Sequence, residues 1–436
     1  MDKTGAQIDR NRLTEAEALV WDRTLEGRTA DFSGEAVKPR IGGAFLSQLG
    51  LARPPRGIRV VGAEIDGDVD LARAELRGLE LEACDIPGSV DVGAARLGRL
   101  SIRGSRFRRL FAKGARIDGG LDFASTSAHG PEAWIDASCA TIHGAIDGCD
   151  AKLRAPAARR RDEVLPWAHN YALRLSDSRV HGSLYLNGSF VADGGFSMDD
   201  AIVHGGVKAR GATFIAGEDD PYHPGDSFRA HAARIDGHCE FGFGFTTVGR
   251  MWMVGAKIGD RLSIGMVSGS LSKPRQTWDW ANRVINSGAA LMCEQIEVSG
   301  AFLIISSKID GTVSLNDARI GATARILHTT ISNPSEDGSA LAFSADRARF
   351  AHGLTLGSES RFEGRTSLSQ AQIGGHLDLR GGQFDNAANT GSALALDLSW
   401  ARVEQAILPA PLAAGAQAAE TPISGQLSVD RLQTGL

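Results

Sequence analysis

The chain has 436 residues and a formal net charge of −5, from 47 basic and 52 acidic side chains. This weak balance excludes a strong, general attraction to nucleic acid or to anionic lipid. The composition of 53 glycines with only 17 Phe, 7 Trp and 3 Tyr indicates a fold with many tight turns and a narrow aliphatic core.

Cysteine usage and hydropathy narrow the setting further. The five cysteines, an odd number, occur without the spacing of metal ligands. The polar amino terminus has no secretory signal, and no apolar run reaches the ~18–20 residues of a membrane-spanning helix. We therefore expect reduced thiols, no transmembrane segment and a cytoplasmic location.

The amino-terminal segment has the pattern of two short helices. Thr14 opens a capping box, and the apolar residues that follow predict an amphipathic helix that ends near Gly27. Residues 41–51 predict a second helix, whose apolar face would consist of Phe45, Leu46 and Leu49. We expect residues 1–52 to form a helical cap over the first coil of the repeats that follow.

Beyond this segment, apolar residues recur at steps of five or six. Such steps fit neither the helical period nor the alternation of one long strand. They fit a coil of about 20 residues in which four short strands are joined by turns. The pattern therefore predicts an all-β solenoid over residues 53–436. Its first apolar positions are Ile65, Leu71, Leu76, Leu81, Ile86, Val92, Leu97, Ile102, Phe107, Ala112, Ile117 and Phe123.

Stretches without this period interrupt the repeat. After each one, a corner motif of an apolar residue, a polar residue and glycine returns, as at 142–144, 235–237 and 309–311. Loops that leave a solenoid at one corner would form a ridge, which is the usual place for recognition. The predicted insertions lie near 125–134, 155–170, 217–227, 270–287, 333–339, 385–392 and 408–420.

The run at residues 63–78, AEIDGDVDLARAELRG, resembles pentapeptide-repeat proteins. The resemblance implies a right-handed parallel β-helix of quadrilateral cross-section. The insertions and the helical start look like long bacterial members that are often labelled "membrane-associated oxidoreductase" or hypothetical. For function the resemblance implies little, because the family includes DNA-mimicking gyrase binders, adaptors and proteins of no known role.

No motif for catalysis or cofactor binding emerges. The glycine clusters at 242–244 and 265–269 lack the third glycine of a dinucleotide fingerprint and the Gly-Lys-Ser/Thr ending of a phosphate loop, respectively. His143, His181 and His204 occupy the same place in the corner motif, but the 23-residue step between the last two exceeds one coil. We therefore interpret them as solvated corner residues, and we predict no cofactor, no metal site and no catalytic residue.

Charge changes sign along the first coils. Acids prevail from Glu64 to Asp85, whereas every charge from Arg96 to Arg116 is basic. A 21-residue offset would stack acid over base in three pairs, namely Glu75 with Arg96, Glu82 with Arg103 and Asp85 with Arg106. Arg108 and Arg109 have no acid at this offset, and they are the best candidates in the run for an outside partner.

Three insertions carry the aromatic and arginine residues typical of interfaces. The only compact acidic set, with Asp219, Asp220 and Asp226, is equally expected of a solvated loop. The interaction candidates in these insertions are Arg159, Arg160, Arg161, Trp167, His169, Tyr222, His223, Arg275, Trp278 and Trp280.

These observations favour a non-enzymatic scaffold that binds another macromolecule, with a protein as the expected partner. The contact would use the loop ridge or the carboxyl-terminal end, where residues 423–436 are still in repeat register and would support a homodimer. One alternative is a DNA-mimicking gyrase- or topoisomerase-binding protein, although the charge supplies no continuous negative surface. The other is a carbohydrate-active β-helix enzyme. Nucleic acid is not expected as a partner.

Overall fold

The computed structural model describes residues 8–156, 171–217, 225–265, 282–335, 339–386, 394–407, 423–424 and 426–434. The chain divides into two compact units, one comprising Met1–Lys208 and Gly217–Pro224, the other Ala209–Ala216 and Gly225–Leu436. In both units the strands pair in parallel with strands of the next coil. The predicted class, an all-β parallel solenoid that begins with helices, is confirmed.

The first unit begins with a 3-10 turn at Arg10–Arg12, helix α1 at Glu15–Glu26 and helix α2 at Gly43–Leu51. Both halves of the predicted capping box at Thr14 are formed, and α1 ends at Gly27 in the left-handed region with φ 67°. The predicted helical segment also contains two short strands, Ala30–Asp31 and Arg40–Gly42, which pair with Ile58–Val61 and Glu64–Asp66 respectively.

Helix α2 packs against the first coil. Its apolar face is buried, and the Ser47 hydroxyl accepts a hydrogen bond from the Asp70 amide at 2.8 Å. The helix begins at Gly43 because a Cβ there would lie 2.4 Å from the Asp68 carbonyl oxygen. The early glycines of this segment thus permit a close approach between helix and coil.

The strands of the first unit stack in four columns, which we call faces 1 to 4. Face 1 has Glu75–Leu76, Arg96–Leu97, Arg116–Ile117, Thr141–Ile142, Arg179–Val180 and Ile202–Val203. Face 2 has Ala30–Asp31, Ile58–Val61, Leu79–Glu82, Leu100–Ser101, Leu121–Asp122, Ile146–Asp147, Leu184–Tyr185 and Val207–Lys208. Faces 3 and 4 share Asp85–Asp91 and Arg106–Phe111; face 3 adds Arg40–Gly42, Glu64–Asp66, Ser127–Ala128, Lys152–Arg154 and Val191–Gly194, and face 4 adds Val69–Asp70, Trp134–Asp136, Leu173–Arg174 and Phe196–Ser197.

The second unit has the same four columns. Face 1 has Arg234–Ile235, Lys257–Ile258, Glu297–Val298, Arg319–Ile320, Arg349–Phe350 and Gln433–Thr434, and it shares Gln372–Asp378 and Arg402–Ile407 with face 2. Face 2 adds Cys239–Phe241, Leu262–Gly265, Phe302–Ile305, Thr323–Leu327 and Gly353–Gly357. Faces 3 and 4 share Asn282–Met292 and Ser307–Ser314; face 3 adds Thr213–Ala216, Thr246–Val248, Thr330–Ser332, Arg361–Glu363, Gln383–Asp385 and Ile423–Ser424, and face 4 adds Asp226–Arg229, Arg250–Trp252, Leu341–Ser344, Arg365–Ser367, Leu394–Asp397 and Gln426–Ser428.

Coil length varies although register is kept. Leu79, Leu100 and Leu121 lie opposite one another, so one coil takes 21 residues there. The next steps, to Ile146 and to Leu184, take 25 and 38 residues. Each insertion therefore adds length between strands without shifting the apolar positions, because a one-residue slip would turn them outward.

Parts of three predicted insertions are strand. Ser127–Ala128 pairs with Arg106 and Phe107, Asp226–Arg229 pairs with Arg250–Trp252, and Asn282–Met292 pairs with Ser307–Ser314. The period is hard to read at these places because polar residues occupy strand positions next to a bulge or a register shift. Most of the other predicted insertion residues lie outside the described part of the chain.

The core of each unit is a column of inward-facing aliphatic and aromatic side chains. In the second unit, Phe214, Phe228, Phe241 and Phe245 are fully buried, with ring centroids 5.0–6.4 Å apart. Most of these ring pairs are edge-to-face or tilted, as aromatic quadrupoles prefer. These four rings make this the most aromatic part of the described core.

Replacing one ring tests the packing. Phe241→Ala is expected to destabilise the second unit by about 3–5 kcal/mol, because it removes a buried ring and leaves a cavity. Phe243→Ala is a matched control, since Phe243 is 41% exposed and both residues already have positive φ at that position. Urea unfolding followed by fluorescence measures both, and equal losses would contradict the assignment of Phe241 to the core.

Candidate functional site: an arginine-lined groove

Ten of the twelve interaction candidates from the sequence lie outside the described residues. They are Arg159, Arg160, Arg161, Trp167, His169, Tyr222, His223, Arg275, Trp278 and Trp280. The loop-ridge hypothesis therefore stays a prediction. The remaining two candidates, Arg108 and Arg109, lie in the strand Arg106–Phe111 of the first unit.

Arg108 and Arg109 both bind one carboxylate of their own chain. Arg108 Nε lies 2.7 Å and Arg109 Nη2 lies 2.6 Å from Glu132 Oε1. Glu132 is only 6% exposed. Burial by itself raises the pKa of this carboxyl, but the hydrogen bonds and charges of Arg109 and Arg108 outweigh burial and hold that pKa below its usual range. The pair thus anchors the predicted insertion near 125–134.

The three expected acid–base pairs have different outcomes. Asp85 forms its ion pair with Arg106, as predicted. Glu75 lies opposite Arg96 in register, but its carboxylate pairs with Arg53 at 3.1 Å.

The third pair is wrong, because Arg103 turns towards the following coils. Its guanidinium bonds Asp122 at 2.9 Å and Asp147 at 3.1 Å. The 21-residue offset is correct, but it cannot decide whether a long side chain reaches the coil before or the coil after.

Three histidines of the corner motif form a column in the first unit. The rings of His143 and His181 are 4.7 Å apart and parallel within 5°, and those of His181 and His204 are 4.9 Å apart. Asp118 lies at the other side of His143, with Oδ1 3.6 Å from Nδ1. The expectation that these residues are unrelated corner positions is wrong, since an insertion and longer coils keep them in one column.

This column is not arranged to chelate a metal. The nitrogen lone pairs of parallel imidazoles lie in the ring planes and do not converge on one ion. Among the described residues, no group of three or more His, Cys, Asp and Glu side chains has a metal-binding arrangement. Desolvation and the neighbouring charges of His143 and His204 lower the pKa of His181 below its ordinary 6.5.

Asp226, the one described member of the acidic set considered above, is not a solvated loop residue. It is 2% exposed and bonds Arg229 at 2.9 Å and Arg250 at 2.5 Å. A carboxylate held by two guanidinium groups is a poor proton donor, because their charges favour its ionised form.

The described thiols offer no activated nucleophile. Burial raises the pKa of the Cys84 thiol to about 11, and burial also raises the pKa values of Cys239 and Cys293. Nucleophilic cysteines need the opposite shift, towards a thiolate at neutral pH.

A recurring turn builds a concave surface in the second unit. Before each face 1 strand, one residue has φ between 50° and 70°, as at Asp317, Arg347, Gln370 and Trp400. The alanine that follows donates its amide to the carbonyl three residues earlier, as in a β-turn with positive φ at its third position. These alanines are fully buried. The side chains before and after each alanine are consequently exposed as two parallel rows.

The space between these rows is a groove of about 690 Å³. The turn row consists of Asp317, Arg347, Gln370 and Trp400, and the strand row consists of Arg319, Arg349, Gln372 and Arg402. Four arginines against one aspartate give the groove a formal excess of three positive charges. Such a concave, basic surface attracts anions more strongly than a flat one.

Two of the four arginines have internal partners. Arg347 forms a bidentate pair with Asp317, with both nitrogen–oxygen distances 2.8 Å, and Arg319 lies 3.3 Å from Glu297. Hydrogen bonding from Arg347 lowers the pKa of Asp317. Arg349 and Arg402 form no ion pair with any described residue, and both are exposed. Their donors are available to a ligand.

Backbone groups along the groove are already used. The amides of Arg347 and Trp400 donate to Ser369 and Asp430 carbonyls at 2.9 and 2.8 Å, and the amide of Arg402 donates to Ala371 at 2.8 Å. A ligand in this groove is therefore recognised through side chains. An extended peptide could not add itself as a further strand at this position.

A second cleft, in the first unit, is a weaker candidate. It has a volume of about 910 Å³, but acids alternate with its arginines along the wall. Arg53 pairs with Glu75 at 3.1 Å and Arg59 pairs with Glu80 at 3.0 Å. These internal ion pairs neutralise much of the charge that a ligand would meet.

The sequence analysis missed the groove, although a signal for it exists. The triplet of alanine, arginine and an apolar residue occurs at 95–97, 115–117, 233–235, 318–320, 348–350 and 401–403. Its arginine always opens a face 1 strand. The signal shows which residues share a column, but not that the residue before the alanine forms a second row.

No protein-family model, curated protein or solved structure matches this chain. Among the described residues, no helix is long and apolar enough to cross a membrane. The functional argument rests on the groove itself.

The Glu132 ion pair gives one prediction. Glu132→Ala is expected to destabilise the first unit by about 1–3 kcal/mol, because it leaves Arg108 and Arg109 without their shared carboxylate next to a part-buried site. Glu359→Ala, at a side chain that is 85% exposed, is the control and should change stability by less than about 0.5 kcal/mol. Thermal unfolding of both variants makes the comparison; equal midpoints would contradict an anchoring role.

The histidine column gives a pH dependence. Folding lowers the pKa of His181, so the unfolded chain binds more protons once the pH falls below about 6.5, and stability decreases on acidification. In an NMR titration of the histidine rings, His181 should titrate below 6.5, and His143→Asn should raise its pKa by removing a neighbouring charge. His352→Asn should leave it unchanged. An unaltered His181 pKa in the His143 variant would show that the rings do not interact.

Proposed function

We propose that this protein is a non-enzymatic scaffold that holds an extended anionic macromolecule along the groove of its second unit. The observation that carries this proposal is the pair Arg349 and Arg402, which are exposed beside a concave surface and have no ion pair with described residues. An unpaired guanidinium offers five donors in a fixed fork that suits carboxylates and phosphates. The repeated coil supplies such donors at regular intervals.

The groove supports binding more than catalysis. Its only carboxylate, Asp317, is held ionised by Arg347, which leaves no acid–base pair among its described lining residues. Glycoside hydrolysis needs two carboxyl groups in different protonation states. The proposal therefore favours a binding protein over a carbohydrate-active enzyme.

The groove also argues against DNA mimicry. A mimic presents a continuous negative surface, whereas this groove carries an excess of positive charge. We further propose membership of the pentapeptide-repeat class and a cytoplasmic location. The four-strand coils support the first of these, and the described helices, none of which could span a membrane, are compatible with the second.

Polyanion binding tests the proposal. The protein is titrated with fluorescently labelled polyglutamate, polyphosphate and oligogalacturonate at low and high salt. At least one of them should bind, with an affinity that falls as salt rises. The double variant Arg349→Ala with Arg402→Ala should weaken this binding by about ten- to a hundredfold, because charged hydrogen bonds are lost.

Arg325→Ala is the matched control. Arg325 is exposed on a face 2 strand of the same unit, so its loss changes the net charge without touching the groove. Equal weakening by Arg325→Ala would mean that net charge alone is responsible. If none of the three polymers binds, the proposed function is wrong.

A further inference from the structure

We propose that the ligand of the groove is an acidic oligosaccharide, a chain of sugars that bear carboxylates. This inference rests on the proposed function and specifies its ligand class. It follows from three residue types that line one groove, namely arginine, glutamine and tryptophan. Each type excludes a different competing ligand.

The arginines select anions with a regular spacing. Arg319 and Arg349 lie opposite each other on adjacent coils, and Arg402 lies two coils beyond Arg349, across Gln372. Adjacent strands are about 4.8 Å apart, so these guanidinium groups are presented about 5 and 10 Å apart along the groove. A planar guanidinium binds a carboxylate through two parallel hydrogen bonds. A linear ligand with one carboxylate on each sugar, or on every second sugar, can meet this row.

The glutamines favour hydroxyl groups. Gln370 and Gln372 are both exposed, one in each row, and interrupt the arginines at the same coil. An amide has donors and an acceptor side by side, and a hydroxyl satisfies both. Polyphosphate has only acceptors and would leave the amide oxygens unpaired. Sugars carry hydroxyls between their acidic groups, which fits amides between arginines.

Trp400 adds an apolar face at one end of the groove. Its side chain is 48% exposed, and the Arg431 guanidinium lies 4.1 Å from the ring centroid. The C–H face of a sugar ring can pack on an indole, which combines an apolar body with a polar edge. Single-stranded nucleic acid is bound through several successive aromatic platforms, and Trp400 is the one aromatic residue in the described lining.

An acidic peptide fits less well. Peptides gain affinity from strand pairing with an unpaired backbone edge, whereas the amides of both rows already donate to neighbouring coils. The peptide would depend on side-chain charge alone. Its binding would then be insensitive to Trp400 and to the glutamines.

Calorimetric titration of the full chain decides among these ligands. The probes are oligogalacturonate, its fully methyl-esterified neutral form, polyglutamate, polyphosphate and single-stranded oligothymidylate, matched in charge where charged. We expect oligogalacturonate to bind at least about tenfold more tightly than each of the others. Gln372→Leu and Trp400→Ala should each weaken oligogalacturonate binding about three- to tenfold and leave polyphosphate binding unchanged.

Gln383→Leu is the matched control, since Gln383 is exposed on face 3 of the same unit and should have no effect. Thermal unfolding verifies that each variant folds. If polyglutamate, polyphosphate or oligothymidylate binds as tightly as oligogalacturonate, or if the Gln372 and Trp400 variants bind normally, the sugar inference is overturned while anion binding stands. If only the neutral ester binds, or no probe does, both the inference and the proposed function fail.

Discussion

The hydrogen bonds between successive coils are the interaction on which the rest of the structure depends. At each corner before face 1, a residue with positive φ donates its amide to the next coil, as Asp317 does to Asp346 and Arg347 to Ser369, both at 2.9 Å. A non-glycine residue in this conformation costs free energy. The cost is tolerated because the turn closes its own hydrogen bond and the coil beyond accepts another.

This ladder converts a local turn into a functional surface. The buried alanine at each corner is small enough for the coil to close tightly, and its two neighbours are exposed by geometry rather than by their polarity. Which side chains stand in these rows decides whether a coil is neutral or charged. In the second unit the rows include Arg349 and Arg402, while Asp317 is neutralised by Arg347. A binding surface can thus change without altering the core.

Buried ion pairs stabilise places where the coil is irregular. Glu132 receives two arginines beside an inserted stretch, and Asp226 receives Arg229 and Arg250 at a register shift. Breaking such a pair is more costly than breaking a surface pair, because a charge is left unpaired in a low-dielectric site. The 21 non-glycine residues with positive φ and these pairs mark the positions that substitution would tolerate least.

The sequence by itself determined the coil and the amino-terminal helices. The five-residue step repeats within every coil, and the capping box at Thr14 acts over three residues, so both are local and readable. The tertiary structure alone decided which side chains meet between coils. Coil length varies from 21 to 38 residues in the first unit, so the column of His143, His181 and His204, the shared carboxylate of Arg108 and Arg109, and the groove cannot be found by a fixed offset. These contacts depend on register across insertions, which is set by the burial of apolar side chains throughout the stack.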